Sequence, residues 1–305
     1  MLNKRAPVSW LIGICMLMMA GPLFAQTSFG AANGQSAGVA LSSLYTIDPA
    51  NGNATLVGPI GFNNVTGMAF LPDGRLVASA NGDDETGGGP AALLIEINRL
   101  TGAGALIGII HNLGGGDNCG RMPDISYDDT TGTLFGYADF CNAGFEGLYS
   151  INPDTGAGTS IGPSGYSGGG NGMDAQPGTG ALFATPFDTG SLVSINPVTG
   201  AGTDVPGSVG NVPFRINSLD FHPVSGVLYG TFNDAGTSTN KLVTIDINDG
   251  TTTTIGESTT GLDAIAFETS GFAPSVPIPT LNGYWLIMLG LLLALSSRKF
   301  LRHRV

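Results

Sequence analysis

Between residues 26 and 277 this 305-residue chain has no tryptophan; Trp10 and Trp285 fall in the terminal stretches. Basic side chains are scarce there too. Arg75, Arg99, Arg121, Arg215 and Lys241 stand against all 23 acidic residues, so the body carries a net charge near −18. That balance argues against nucleic acid or anionic lipid as partners of the body. It suits a solvated, non-adhering surface outside the cell. The body has two histidines: His111 in a Gly-rich loop, and His222 in Phe221-His222-Pro223, where a turn begins. No His/Cys/Asp spacing resembles a zinc or iron site. There is no Gly-x-Ser-x-Gly elbow. The run Gly168-Gly169-Gly170-Asn171-Gly172 lacks the Lys and helix of a phosphate loop and reads as a connection between units.

Both ends read as addresses. Lys4 and Arg5, the apolar stretch Val8 to Ala20, and Leu23-Phe24-Ala25 before Gln26 form a secretory signal over residues 1–25. Cys15 follows Ile14, too large for a lipoprotein site, and is discarded with the peptide. At the other end Ile278-Pro279-Thr280-Leu281 precedes an apolar run from Tyr284 to Leu295 and the basic cluster Arg298, Lys299, Arg302 and Arg304. Positive residues beside a span stay cytoplasmic, so the body is expected beyond the cytoplasmic membrane. The 20 residues from Ile278 to Ser297 just reach the length of a span. An ordinary single-span anchor has the same outline.

The tail resembles the C-terminal sorting signals handled by exosortases in Gram-negative bacteria, in the subtype named for its Ile-Pro-Thr-Leu motif. Here that motif is Ile278, Pro279, Thr280 and Leu281, followed by Trp285, one position later than the usual pattern. The resemblance covers residues 278–305 and implies an exosortase-type processing protease as partner. It further implies membrane retention through the C-terminal segment before processing, and then delivery to the cell surface or the extracellular space.

The body is built from a repeat. Leu44-Tyr45-Thr46-Ile47-Asp48 recurs as Leu94 to Asn98, Leu148 to Asn152, Leu192 to Asn196 and Leu242 to Asp246, with central isoleucines 50, 54, 44 and 50 residues apart. The apolar/polar alternation is that of a half-buried strand. Each copy runs into a turn ending in Gly52, Gly102, Gly156, Gly200 or Gly250, then a short second strand. The other half of each unit is another hairpin: Val65 to Ala80, Ile125 to Ala138, Met173 to Thr185 and Ser218 to Thr231. Four strands in about 50 residues make a propeller blade. The last unit stops at Leu262 to Phe267 without a partner, and Phe29 to Gly34 matches Val77 to Gly82. The chain start is therefore expected to complete the last blade, which closes the ring and removes its open edges. The expectation is an all-β, five-bladed propeller over residues 26–268, a Pro/Ser linker over 269–277, and the sorting segment. A sixth, degenerate unit near 109–122, an open solenoid or a sandwich are the alternatives. Leu148-Tyr149-Ser150-Ile151-Asn152-Pro153-Asp154-Thr155-Gly156 resembles the signature of a functionally mixed class of repeat-containing bacterial propellers, which supports fold alone.

Cys119 and Cys141 flank the hairpin that turns between Asp129 and Gly132 almost symmetrically. They are expected to lie opposite one another and, in an exported protein, to form a disulfide.

For catalysis the only groups in good supply are carboxylates. Asp174 and Asp220 fall at matching places of two units, with Asp124 and Asp263 nearby. Propeller glycosidases set such acids around the central channel, but an acid at a repeated place more often bonds backbone. Acids converging in the channel would favour an enzyme; acids spread out and bonded to backbone would favour a binding module. Asp83-Asp84-Glu85, in a Gly-rich loop, is a calcium candidate by oxygen count, with Asp117, Asp124 and Asp128 a weaker one. No other cofactor is expected. The leading expectation is an exported, non-enzymatic surface or extracellular-matrix propeller. The alternatives are an extracellular carbohydrate-active enzyme and a polysaccharide-binding lectin.

Overall fold

A computed structural model describes residues 27–32, 41–83, 90–110, 121–139, 147–166, 172–186, 189–234 and 239–269. The leader, the Ile-Pro-Thr-Leu tail, Cys119, Cys141, Asp84, Glu85, His111 and Asp117 lie outside them, as does the side chain of Asp83. Among the described residues no helix is long and apolar enough to cross a membrane.

Twenty strands form five four-stranded antiparallel sheets. One blade holds β4 (Asn63–Phe70), β5 (Leu76–Asp83), β6 (Pro90–Ile97) and β7 (Gly104–Ile109). The next holds β8 (Arg121–Asp128), β9 (Thr133–Asp139), β10 (Gly147–Ile151) and β11 (Gly158–Gly162). The third is short-stranded: β12 (Met173–Ala175), β13 (Leu182–Ala184), β14 (Val193–Ile195) and β15 (Gly202–Asp204). The fourth is β16 (Ile216–Phe221), β17 (Leu228–Phe232), β18 (Lys241–Ile245) and β19 (Thr252–Glu257). The fifth joins the two ends of the ring. There β20 (Leu262–Phe267) pairs with β1 (Ser28–Ala32), which pairs with β2 (Ser43–Ile47), and that with β3 (Ala54–Pro59). The expected closure is therefore present, with Ser28 opposite both Phe267 and Ile47. No sixth sheet is found among the described residues.

The inner strands β20, β4, β8, β12 and β16 touch their neighbours in that order, and β16 returns to β20. The apolar core is divided into five clusters, each straddling one seam between blades. Val65, Met68 and Phe70 meet Phe29 and Leu44 at one seam; Leu242 meets Leu262 and Phe267 at another.

The repeated sequence signature has two structural uses. The Asp or Asn that ends each third strand caps the following turn. Asn98 Oδ1 accepts from the amides of Leu100 and Thr101, Asn152 from those of Asp154 and Thr155, and Asn196 from those of Val198 and Thr199. This is the asparagine turn that competes with regular ladder bonding. The turn then presses on the preceding blade. A Cβ on Gly58 would lie 2.2 Å from the Thr101 carbonyl oxygen, on Gly108 2.0 Å from Thr155, on Gly162 2.3 Å from Thr199, and on Gly256 1.9 Å from Asn51. Four of the five seams are thus backbone-on-backbone contacts that admit only glycine. At the remaining seam Pro206 stands where the others have glycine.

Gly108→Ala is expected to cost about 2–4 kcal/mol, because the obstructing atom is main chain and cannot yield. Gly178→Ala, with open space and a φ of 72°, is expected to cost only about 1 kcal/mol. Urea unfolding of the two variants beside the parent measures the difference.

Candidate functional site

The inner strands can be aligned on the residue that ends their apolar face: Phe70, Tyr127, Ala175, Phe221 and Phe267. One residue earlier stand Ala69, Ser126, Asp174, Asp220 and Ala266; three earlier, Gly67, Asp124, Gly172, Ser218 and Ala264. Alternation puts both sets on the same side of their strands. A five-membered hub leaves little room, so most of these side chains are small.

The polar members bond across the seams in one pattern. Ser126 Oγ accepts from the Ala175 amide at 2.9 Å and donates to Asp174 Oδ1 at 2.5 Å. The Phe221 amide donates to Asp174 Oδ2 at 2.6 Å, and the Phe267 amide donates to Asp220 Oδ2. One layer away, Asp124 Oδ2 accepts from the Met173 and Leu219 amides, both at 3.0 Å, and Asp124 Oδ1 from its neighbour Ile125. Ser218 Oγ accepts from the Ile265 amide at 3.2 Å. Each side chain therefore takes a main-chain N–H of the following blade that has no strand partner on that side. Glycine makes this possible: a Cβ on Gly67 would sit 2.6 Å from Asp124 Cα.

Three of the four candidate acids, Asp124, Asp174 and Asp220, are brought together in the hub. Asp263 is not. It lies at the mouth where the inner strands begin and accepts from Asn217 Nδ2 at 2.6 Å. The hub acids thus converge and yet are bonded to backbone, combining the two outcomes that had been set against each other. Asp124 is wholly buried and Asp174 nearly so; Asp220 keeps part of its surface open. Burial raises the carboxyl of Asp174 to about 6, against the lowering effect of the Ser126 and Phe221 donors. Asp220 is pushed well above the usual range by burial and by the charge of Asp174, with which it shares a side-chain hydrogen bond. Asp124 is raised by burial despite its three amide donors. A carboxyl that keeps its proton in the Asp174–Asp220 pair avoids two like charges in one dry site.

Sequence reasoning missed Ser126 and Ser218. Their signal was the same as that of the acids: a polar residue at a repeated place of an inner strand.

The remaining candidates are apart. Asp128 accepts from the Thr130 amide and the Thr130 and Thr131 hydroxyls, capping its own turn, and does not join Asp124. Among the described residues no group of three or more His, Cys, Asp or Glu could hold a metal. His222 is half-buried. Its Nδ1 accepts from the Val224 and Ser225 amides, and its ring packs 5.0 Å from Phe267. It does for its turn what Asn98 and Asn152 do for theirs.

No family model matches the chain, and no curated protein matches it by sequence. Its fold is similar to that of a solved chain from a nidogen/laminin complex, at 12% identity and a TM-score of 0.52, covering 80% of this chain and 99% of that one. An auxiliary nutrient binding protein from Bacteroides ovatus is more distant (14% identity, TM-score 0.43), with 76% of this chain against 48% of that one. TolB from Acinetobacter baumannii stands similarly far (13%, 0.42), with 75% against 52%. The likeness to the nidogen/laminin chain is one of fold alone.

Asp124→Ala strands three buried amides and is expected to cost about 4 kcal/mol or more, whereas Asp124→Asn keeps an acceptor oxygen and is expected to cost less than half of that. Chemical denaturation of both variants checks the ratio.

The raised carboxyls also set a pH dependence. The folded-state value of Asp174 lies above that of the unfolded chain, so its contribution is fully present below about pH 4 and is lost as pH rises through about 6; Asp124 and Asp220, raised as well, act in the same direction. At Asp128 burial raises the carboxyl, but the Thr131 and Thr130 donors outweigh it and hold it below the usual value, so it is ionised throughout that window. The melting temperature is expected to fall by several degrees from pH 5 to pH 7.5. Asp220→Asn, a neutral copy of the protonated acid, is expected to flatten the slope and to leave stability at pH 7.5 unchanged or higher. Melting curves across that range decide it; a parent that gains stability above pH 6 would contradict the assignment.

Proposed function

We propose that the chain is an exported, non-catalytic propeller that serves as a binding module at the cell surface or in the extracellular matrix of a Gram-negative bacterium. The observation that carries the non-catalytic part is the hub: each acid found there is engaged by main-chain amides of the following blade. Asp174 and Asp220 are in this reading fasteners, and an enzyme using channel carboxylates would need one of them released.

The leader over residues 1–25 and the tail over 278–305 support export and an exosortase-type route. In this reading a membrane protease acts near Ile278 to Leu281, with Trp285 and the basic cluster retained until then. The net charge of the body near −18 supports a location among solvated polymers rather than against lipid. A Cys119–Cys141 disulfide is part of the proposal. The β8–β9 register pairs Arg121 with Asp139, and in the sequence Cys119 and Cys141 each stand two positions beyond that pair.

Intact mass of the protein from its native host, alkylated without reduction, tests both points. Loss of the residues after about Thr280 and no alkylated cysteine are the expected results. A chain ending at Val305 would sink the sorting route, and two alkylated thiols would sink the disulfide.

A further inference from the structure

The inner strands begin, and the second strands of the blades end, at the same face of the ring, as the pairing of Ile216 with Phe232 and of Asn63 with Asn81 shows. At that face Phe214 and Arg215 lead into β16. Three features set this pair apart.

Phe214 is 62% exposed. Its ring edge lies against Gly190, where a Cβ would meet Cε1 and Cζ at 3.5 Å, so the ring is held at that edge and most of the residue is left to solvent. Arg215 holds a φ of 72°, a left-handed conformation unfavourable to any residue with a side chain. The same place in β20, six residues before Phe267, is filled by Gly261, also at 72°. The backbone thus calls for glycine, and this blade supplies arginine. Such local strain is typical of binding and catalytic sites. Third, Arg75, Arg99 and Lys241 are each bonded to a carboxylate. Arg215, exposed, makes no ion pair among the described residues. Two acids that belong to the same end of the ring are already engaged: Asp263 by Asn217, and Asp234 by Lys241.

We propose that Phe214 and Arg215 form a subsite for a sugar ring that carries a carboxylate, within a glycan that is otherwise uncharged. This rests on the binding-module reading above. The phenyl face takes the apolar C–H face of the sugar, and the guanidinium takes the carboxylate through two parallel N–H···O bonds. The acidic surroundings repel a densely charged polymer, so the subsite selects an isolated acid on a neutral chain.

The test is calorimetric titration of the full-length protein with a xylo-oligosaccharide bearing a single methylglucuronate, and with the same oligosaccharide lacking it. The uronate form is expected to bind at least about tenfold more tightly, the equivalent of one charge-assisted contact. Phe214→Ala and Arg215→Gly are each expected to weaken that binding about tenfold or more. Arg215→Gly is at the same time expected to leave the melting temperature unchanged or higher, since glycine accepts the left-handed backbone. A fall of several degrees in that variant would show the arginine to be structural and overturn the proposal. So would equal binding of the two oligosaccharides, or no binding of the uronate form. Uronate binding that both variants retain removes the subsite and leaves the binding module standing; failure to bind any member of a broad glycan array removes both.

Discussion

One strand, β1, holds the ring shut: it is bonded to β20 on one side and to β2 on the other. A linear array of blades can choose its own curvature. A closed one cannot, and five blades closed in this way bring five inner strands about a narrow hub. Parallel neighbours there leave main-chain amides without ladder partners, in a largely buried space. An amide left so would be costly. Glycine and alanine on some strands make room, and serine and aspartate on others supply acceptors. The raised carboxyls follow from that same confinement, and the acids are as much a product of closure as a support for it.

What could be read in advance was whatever repeats. The five Leu-x-x-Ile-Asp/Asn copies and their Gly turns became the third strands and their capped turns. The surplus of one kind of turn over the other became the shared blade. The hub was only half legible. Asp174 and Asp220 stood out because two carboxylates at matching places are conspicuous. Asp124 lies two residues off that place, and its reach to Leu219, 95 positions away, is a distance no local pattern encodes. Whether such acids face substrate or backbone depends on how closely the inner strands approach, a property of the closed ring rather than of any segment. Arg215 escaped notice for the same reason. In the sequence it is one of five basic residues of the body, and nothing local announces a left-handed arginine.

The seams show how the repeat serves closure. Each outer-strand glycine accepts the turn of the next blade at a separation no side chain could share, while the Asn or Asp at the head of that turn keeps it in shape. The Asn and Gly of one blade are thus matched across a seam to the Gly and Asn of its neighbours. Pro206 breaks this match in the blade with the shortest strands. At that seam the connection through Val212 carries the packing instead, and it is this same connection that delivers Phe214 and Arg215.

The pairing of Ser28 with Phe267 has a further, spatial result. The first and last described strands meet at the end of the ring where the tight turns lie, opposite the mouth that holds Asp263 and Arg215. A tether, a label or a fused domain joined at either terminus of the ring would leave from that underside.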